Sequence, residues 1–135
     1  MYCHQSEIRV RYAETDQMGF VYYGAYAAYF EVGRVEALRN LGITYKSMED
    51  SGILMPVVQY SVKYIKPARY DDLLMLDTCI TQYQGARIRF DYQIKNQAME
   101  LLNEAFTELV FLSAENMKPV KSPEILRESL KPFFT

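Results

Sequence analysis

Residues 12–31 read YAETDQMGFVYYGAYAAYFE, and this stretch decides the fold. An alternating segment precedes it, Gly19 and Gly24 interrupt it, and an aromatic pattern with helical spacing follows. A strand that passes through a carboxylate-bearing loop into a helix brings that carboxylate close to backbone N–H groups without helical partners. Such N–H groups can hold the oxyanion that develops when a carbonyl is attacked. The stretch is therefore one way to build a catalytic site in which Asp16 acts as base or nucleophile, although an aspartate in such a loop often only accepts hydrogen bonds from the N–H groups of the turn.

The segments around this loop predict an α+β protein with one long helix. Residues 7–12 alternate between apolar and charged, which is typical of a half-buried strand. Apolar residues then recur every three or four positions over 24–41, and Gly42 follows as a helix stop. A short helical segment is predicted at 45–51. A terminal helix is predicted from Ser122 to Leu130, with Ser122 as N-cap and proline at its first position.

The remainder of the chain predicts a strand meander. Tyr83–Ala86 and Asn96–Gln97 have the composition of turns between strands. On propensity alone, residues 100–113 could form a helix. We predict a strand, because this segment follows two strands joined by hairpins. Four strands are predicted, at 57–65, 72–83, 86–95 and 100–113. Alternating residues of the second and third align on one face: Leu74, Leu76, Thr78 and Ile80, and then Ile88, Phe90, Tyr92 and Ile94.

Length and composition limit the class of protein. The chain has 135 residues, half of them hydrophobic, which predicts one domain over 1–135 and argues against disorder. A net charge of -2 gives no footprint for nucleic acid. No apolar run approaches the roughly 20 residues that span a bilayer, so no transmembrane segment is predicted. The N-terminus lacks an apolar signal region, which predicts a cytoplasmic protein with Cys3 and Cys79 reduced.

The loop resembles the acyl-CoA thioesterases of the 4-hydroxybenzoyl-CoA thioesterase family, especially the branch linked to the Tol-Pal system. The family pattern is Y-x-[ED]-T-D-x-x-G-x-V-Y, followed by a variable residue, a small residue and, two positions on, a tyrosine. The matching positions here are Tyr12, Glu14, Thr15, Asp16, Gly19, Val21, Tyr22, Tyr23, Gly24 and Tyr26. The long helix, the segment at 64–68 and the pair Asp71–Asp72 also resemble the family, so the resemblance covers nearly the whole chain.

The resemblance implies the hotdog fold, in which a five-stranded antiparallel sheet wraps around one long helix, here with a short C-terminal helix. The predicted order of one strand, one helix and four strands agrees with it. One helix cannot cover both faces of such a sheet, and open strand edges favour pairing with a second copy. Family members are dimers or dimers of dimers with active sites at subunit interfaces, which implies a homodimer or homotetramer.

The resemblance implies that Asp16 is the general base or the nucleophile of thioester hydrolysis. It also implies that Gly24 and the backbone N–H of Tyr23 contact the oxyanion. Here the chain departs from the Tol-Pal branch, which commonly has His and Asn where this sequence has Tyr23 and Ala25. The hydroxybenzoyl branch has an aromatic residue at the first position and uses its backbone N–H, and a backbone donor survives a change of side chain.

Further residues are candidates for substrate contacts. The turn from Lys66 to Arg69 matches a family segment near the nucleotide end of CoA, and Arg87 and Arg89 share one strand face, which would concentrate charge. A solvated strand face is the structural alternative for the basic residues. Glu31 and Glu36 on the helix are weaker alternatives to Asp16 as base. The substrate-binding candidates are Gly19, Val21, Tyr22, Lys66, Pro67, Arg69, Arg87 and Arg89.

Other chemistries find little support in the sequence. His4 is the only histidine and lies near the terminus, which argues against nucleophile–histidine catalysis. No cluster has metal-ligand spacing and no glycine-rich phosphate loop is present, so neither metal nor cofactor is expected. The sequence predicts an acyl-CoA thioesterase. The alternatives are a thioesterase acting on acyl groups of acyl carrier protein, and a non-catalytic acyl-CoA-binding protein of the same fold.

Overall fold

A computed structural model of the protein describes residues 1–134. A five-stranded antiparallel sheet has the strand order β1-β4-β5-β6-β3, and β2 and β7 form a separate two-stranded ribbon. The elements in chain order are β1 (Tyr2–Arg9), α1 (Tyr23–Asn40), α2 (Tyr45–Asp50), β2 (Ile53–Leu54), β3 (Val57–Tyr64), β4 (Leu73–Gln84), β5 (Arg87–Lys95), β6 (Leu101–Val110), β7 (Leu112–Ser113) and α3 (Glu124–Leu130). The predicted α+β class, with one long helix against a five-stranded antiparallel sheet, is confirmed.

The core lies between α1 and the inner face of the sheet. Alternating positions of β4 and β5 are buried, as the sequence predicted: Leu74, Leu76, Thr78, Ile80, Ile88, Phe90, Tyr92 and Ile94. The ring of Phe30 on α1 lies 4.6 Å from that of Tyr92. At Gly33 the helix comes so near β4 that a Cβ atom would stand 2.7 Å from the Leu76 side chain. This close approach packs the middle of α1 directly against the sheet.

Three predicted elements have different bounds in the structure. The strand predicted at 100–113 is divided, because β6 ends at Val110 and Leu112–Ser113 pair with β2 instead. The first strand was predicted at 7–12, but it spans Tyr2–Arg9, because pairing with β4 runs from Tyr2 opposite Ile80 to Arg9 opposite Leu73. Tyr12–Glu14 instead form a 3-10 turn that leaves Tyr12 exposed. The terminal helix begins at Glu124 with Pro123 as its N-cap, so the prediction of a Ser122 cap is wrong. The Ser122 hydroxyl is buried and bonds the Tyr83 hydroxyl at 2.7 Å.

The prediction of two free cysteines is also wrong. Cys3 and Cys79 are directly opposite each other on β1 and β4, and their sulfurs are bonded. Two cysteines can form one bridge, but no short stretch of sequence indicates this one, because residues 76 apart become neighbours only through the strand register.

The two edges of the sheet differ in exposure. Strand β1 has one buried face, whereas β3 is exposed along almost its whole length on both faces. Val58 is 49% exposed and Tyr60 40%, so apolar surface is open to solvent at this edge. None of the helices within residues 1–134 has the length and apolar character needed to cross a bilayer.

Candidate active site

Asp16 lies in a tight turn that uses only half of its carboxylate. The turn is closed by backbone hydrogen bonds from Asp16 N to Phe20 O (2.8 Å) and from Gly19 N to Asp16 O (3.0 Å), with Gly19 at φ +79°. Asp16 Oδ1 accepts hydrogen bonds from the backbone N–H of Met18 at 2.9 Å and of Phe20 at 3.2 Å. Oδ2 has no hydrogen-bond partner within residues 1–134. One oxygen therefore stabilises the turn, and the other is available for chemistry.

The turn leads directly into the uncapped start of α1. Helix α1 begins at Tyr23, and its N-cap Tyr22 has an extended backbone and makes no side-chain capping bond. Ala25 N donates to Tyr22 O at 2.9 Å, whereas the N–H groups of Tyr23 and Gly24 have no acceptor in the described chain. Free N–H groups at a helix start carry partial positive charge and suit an anionic oxygen.

Backbone bonds hold this loop against two other segments. Val21 N donates to Ala68 O at 2.8 Å, and Tyr22 N donates to Glu14 O at the same distance. A bridge also pairs Phe20 with Arg69. These bonds place the helix start between the end of the first loop and the turn that follows β3.

A cavity of about 310 Å³ opens where these segments meet. Five of the predicted site residues line this cavity: Asp16, Val21, Tyr23, Lys66 and Pro67. Its remaining lining residues are Met18, Phe20, Tyr26, Tyr64 and Ile65. The wall is thus largely apolar and aromatic, with a carboxylate and an ammonium group on it.

Other predicted contacts lie around the cavity or away from it. Arg69 stacks over the ring of Phe20, 4.8 Å from its centroid, and so lies behind the cavity wall. Lys66 is paired with Glu100. Tyr22 covers Gly24, because a Cβ atom there would stand 2.6 Å from its ring. Gly19 does not line the cavity, and it contributes through the tight turn that holds Asp16.

Arg87 and Arg89 lie elsewhere, in a different cavity near the hairpin between β4 and β5. Arg87 pairs with Glu108 at 3.4 Å. Arg89 pairs with Asp91 at 3.0 Å and stacks 3.9 Å from the Phe106 ring centroid. The structure therefore does not bring these arginines to the Asp16 cavity.

The helix glutamates are not at the Asp16 cavity either. Glu36 pairs with Arg39 at 3.4 Å on the exposed side of α1. Glu31 lines a separate groove farther along the helix.

Glu14 is a supporting residue whose role the sequence did not indicate. Its carboxylate accepts from Arg11 N at 2.8 Å, from Arg11 Nη2 at 2.9 Å and from the Tyr29 hydroxyl at 3.0 Å. Burial of this carboxylate opposes ionisation, but the hydrogen bonds from Arg11 and Tyr29 outweigh it, so the pKa of Glu14 lies below its ordinary value. The ionised side chain thus ties the loop before Asp16 to the middle of α1.

Arg34 is the second residue that sequence reasoning missed. It is only 7% exposed, although it lies on a helix that also presents charged residues to solvent. The signal was present in the spacing, because position 34 falls among the buried positions Phe30, Gly33, Ala37 and Leu38.

Comparisons with known proteins agree with this arrangement. The profile of the thioesterase superfamily matches residues 18–103. YneP of Bacillus subtilis is 40% identical over 121 residues, which cover 90% of this chain and 88% of YneP. The acyl-CoA thioester hydrolase YbgC of Escherichia coli is 34% identical over 124 residues, covering 92% of each chain.

A solved structure shows the same architecture. The DHNA-CoA thioesterase from Staphylococcus aureus superposes with a TM-score of 0.94 and 34% sequence identity, over 98% of this chain and 91% of that one.

Proposed function

Because this chain belongs to the thioesterase superfamily and is an acyl-CoA thioesterase with the hotdog fold, we propose that its reaction takes place in the Asp16 cavity. The observation that carries this proposal is the free Oδ2 of Asp16 beside a helix start with two unbonded N–H groups. In this arrangement the thioester carbonyl oxygen binds the N–H groups of Tyr23 and Gly24, and Asp16 Oδ2 faces the carbonyl carbon.

Oδ2 acts in one of two ways. As a general base it takes a proton from the attacking water, and as a nucleophile it adds to the carbonyl and forms an anhydride that water then cleaves. In both, negative charge collects on the carbonyl oxygen, where the N–H groups and the helix dipole stabilise it. CoA leaves as the thiol, and the acyl group leaves as the free acid.

The remaining lining residues fit the rest of the substrate. Val21 and the aromatic side chains contact the pantetheine arm and the part of the acyl group next to the thioester, and Lys66 with Pro67 forms the rim on the nucleotide side. Lys66 would exchange Glu100 for a CoA phosphate, and Arg69 adds a cation close by. Arg87 and Arg89 could contact CoA only if a second subunit brought them to the cavity.

We also propose that the protein forms a homodimer through β3. This strand has exposed apolar side chains and unpaired backbone groups on its outer edge, which a second copy of the strand would satisfy. Tyr64, at the end of β3, lines the Asp16 cavity, so such pairing would complete the cavity wall.

The decisive experiment is thiol release from a panel of short, long and aromatic acyl-CoAs by the wild type and by Asp16→Asn. Asparagine keeps an oxygen that can accept from Met18 and Phe20, so the turn should persist while the basic, nucleophilic oxygen is lost. Turnover should fall about 100-fold to 10,000-fold. Glu36→Gln, on the exposed side of α1 and outside both cavities, is the matched control and should retain turnover.

An Asp16→Asn variant that remains folded and fully active would contradict the proposed role. A wild type that binds the panel without releasing thiol would instead favour a carrier-protein substrate or a binding function, and acyl carrier protein thioesters would then be assayed.

A further inference from the structure

A second cavity of about 490 Å³ runs along α1 on the side that faces β3. Gly24, Ala27 and Ala28 of the helix lie on one side of it, and Val57 and Tyr60 of β3 lie on the other. Arg34 lines it farther along the helix, ten residues after Gly24, or about 15 Å along the helix axis. This groove therefore begins at the proposed oxyanion site and leads away from it.

The guanidinium of Arg34 is buried there without a carboxylate partner. Its Nε donates to the Tyr45 hydroxyl at 3.1 Å, and Nη1 donates to the Tyr92 hydroxyl at 3.2 Å. The Tyr92 hydroxyl also bonds the Thr107 hydroxyl at 2.7 Å. Within residues 1–134, Nη2 has no acceptor and Arg34 forms no ion pair. Nη2 is thus left for an acceptor from outside the described chain, such as an oxygen atom of a ligand that enters the groove.

The surroundings of Arg34 leave this role to a ligand. Glu31, one turn earlier, lines the same groove but is exposed and forms no ion pair with Arg34 in the described chain. The nearby Tyr60 hydroxyl has its pKa raised to about 12, mainly by burial, and is neutral at physiological pH. Within residues 1–134 the guanidinium therefore has no direct carboxylate partner, and an acidic ligand binds it in competition with the exposed charge of Glu31.

We infer that Arg34 binds an oxygen at the far end of the acyl group, and that it favours acyl chains ending in a carboxylate over chains ending in a methyl group. The inference rests on the proposed function, because it takes the thioester carbonyl to lie at the N-terminus of α1. A guanidinium has only donors and binds a carboxylate more strongly than a neutral oxygen. The small residues Gly24, Ala27 and Ala28 leave room for the intervening chain.

The test uses CoA thioethers, in which a methylene replaces the thioester carbonyl so that hydrolysis is impossible. Two series of increasing chain length are compared, one ending in methyl and one in carboxylate, with dissociation constants measured by calorimetry. Wild-type protein should bind the carboxylate member at least about tenfold more tightly once the chain is long enough to reach Arg34. Equal affinities at every length would overturn the inference.

Arg34→Met identifies the residue responsible. It should remove the preference for carboxylate while leaving the methyl-ended thioethers bound within about twofold. An unchanged preference in this variant would overturn the inference. Where Arg34→Met does not fold, Ala28→Leu narrows the groove and leaves Arg34 in place, and it should weaken the long carboxylate thioether at least about fivefold. Undiminished binding by Ala28→Leu would count against the groove.

Thiol release from acyl-CoAs, measured in parallel, separates this inference from the proposed function. If thiol is released but the methyl-ended and carboxylate-ended thioethers bind equally, the Arg34 site is excluded and the thioesterase mechanism is retained. If their affinities differ but no thiol is released, the Arg34 site is retained and the mechanism is excluded.

Discussion

At the scale of single residues, we propose that Asp16 performs two tasks with one carboxylate. Oδ1 accepts from Met18 and Phe20 and keeps the turn closed, whereas Oδ2 has no partner in the described chain and Asp16 lines the cavity. An aspartate that stabilises a turn and an aspartate that carries out catalysis are often treated as alternatives, but this geometry is compatible with both. The turn fixes the direction in which the free oxygen points.

Glu14 extends this support to α1, and its removal should lower stability in a pH-dependent way. Glu14→Gln should reduce the free energy of unfolding at pH 7 by about 1–3 kcal/mol, because charge-assisted hydrogen bonds from Arg11 and Tyr29 are weakened. The folded-state pKa of Glu14 is lowered, so its stabilisation is complete above the ordinary value of 4.5 and is lost as pH falls through the lowered pKa.

Urea unfolding of the wild type and of Glu14→Gln across this pH range tests the prediction. The difference should be constant from neutral pH down to about 5 and should shrink below 4.5. Glu7→Gln, at an exposed position on β1, is the control and should change stability little. A difference for Glu14→Gln that does not change with pH would show that the charge has no role.

At the scale of elements, the position of α1 depends on one glycine. Gly33 lets the helix approach β4 so closely that an added Cβ atom would contact Thr78 Oγ1 and Leu76. Thr78 Oγ1 is buried and has no hydrogen-bond partner in the described chain, so its contribution here is van der Waals packing against the helix. This close approach fixes the spacing between the middle of α1 and β4.

Gly33→Ala should therefore destabilise the protein by about 1–3 kcal/mol, although alanine is the better helix former. Thermal or chemical unfolding measures the loss, and turnover should fall because the helix start moves. Adding Thr78→Ala should recover part of the stability, since it removes the nearest obstructing atom. A stabilised Gly33→Ala protein would show that helix propensity outweighs the packing contact.

At the scale of the whole molecule, the two edge strands of the sheet differ in how they are held to the rest of the chain. Strand β1 is tied to β4 by the Cys3–Cys79 bond, and the opposite edge strand β3 is left open. One edge is therefore covalently held within the chain, and the other is available for association.

Reduction of the disulfide should lower stability, because the bond closes a loop with a sequence separation of 76 residues. The chain-entropy description of such a loop gives about 4 kcal/mol as an upper expectation. Unfolding midpoints with and without dithiothreitol measure the effect, and a Cys3→Ala, Cys79→Ala double variant should be insensitive to the reductant. Two alkylatable thiols in the native, unreduced protein would contradict the bond.

Association through β3 predicts a dimer that a single charge disrupts. Val58→Lys places a buried charge in the proposed interface and should shift the protein from dimer to monomer in analytical ultracentrifugation. Turnover should fall with the dimer, because Tyr64 at the end of the same strand lines the Asp16 cavity. Glu7→Lys on β1 should leave the dimer intact. Loss of the dimer in that control would show that the interface lies at the β1 edge and not at β3.

The sequence by itself determined the order of the long helix and the main strands, and it indicated the loop that carries Asp16. Helical spacing located α1 to within one residue, alternation identified the buried faces of β4 and β5, and the residues from Tyr12 to Tyr26 identified the family. These features are local, because they depend on periodicity and on turn chemistry within a few residues of each other.

Only the tertiary structure decided which distant residues meet. Strand register bonded Cys3 to Cys79, the path of the loop joined Glu14 to Tyr29, and the fold separated Arg87 and Arg89 from Asp16. The free Oδ2 and the buried guanidinium of Arg34 likewise became visible only when every neighbouring donor and acceptor had a position. The physical reason is that hydrogen bonds and desolvation act between groups brought together by packing, which no short stretch of sequence specifies.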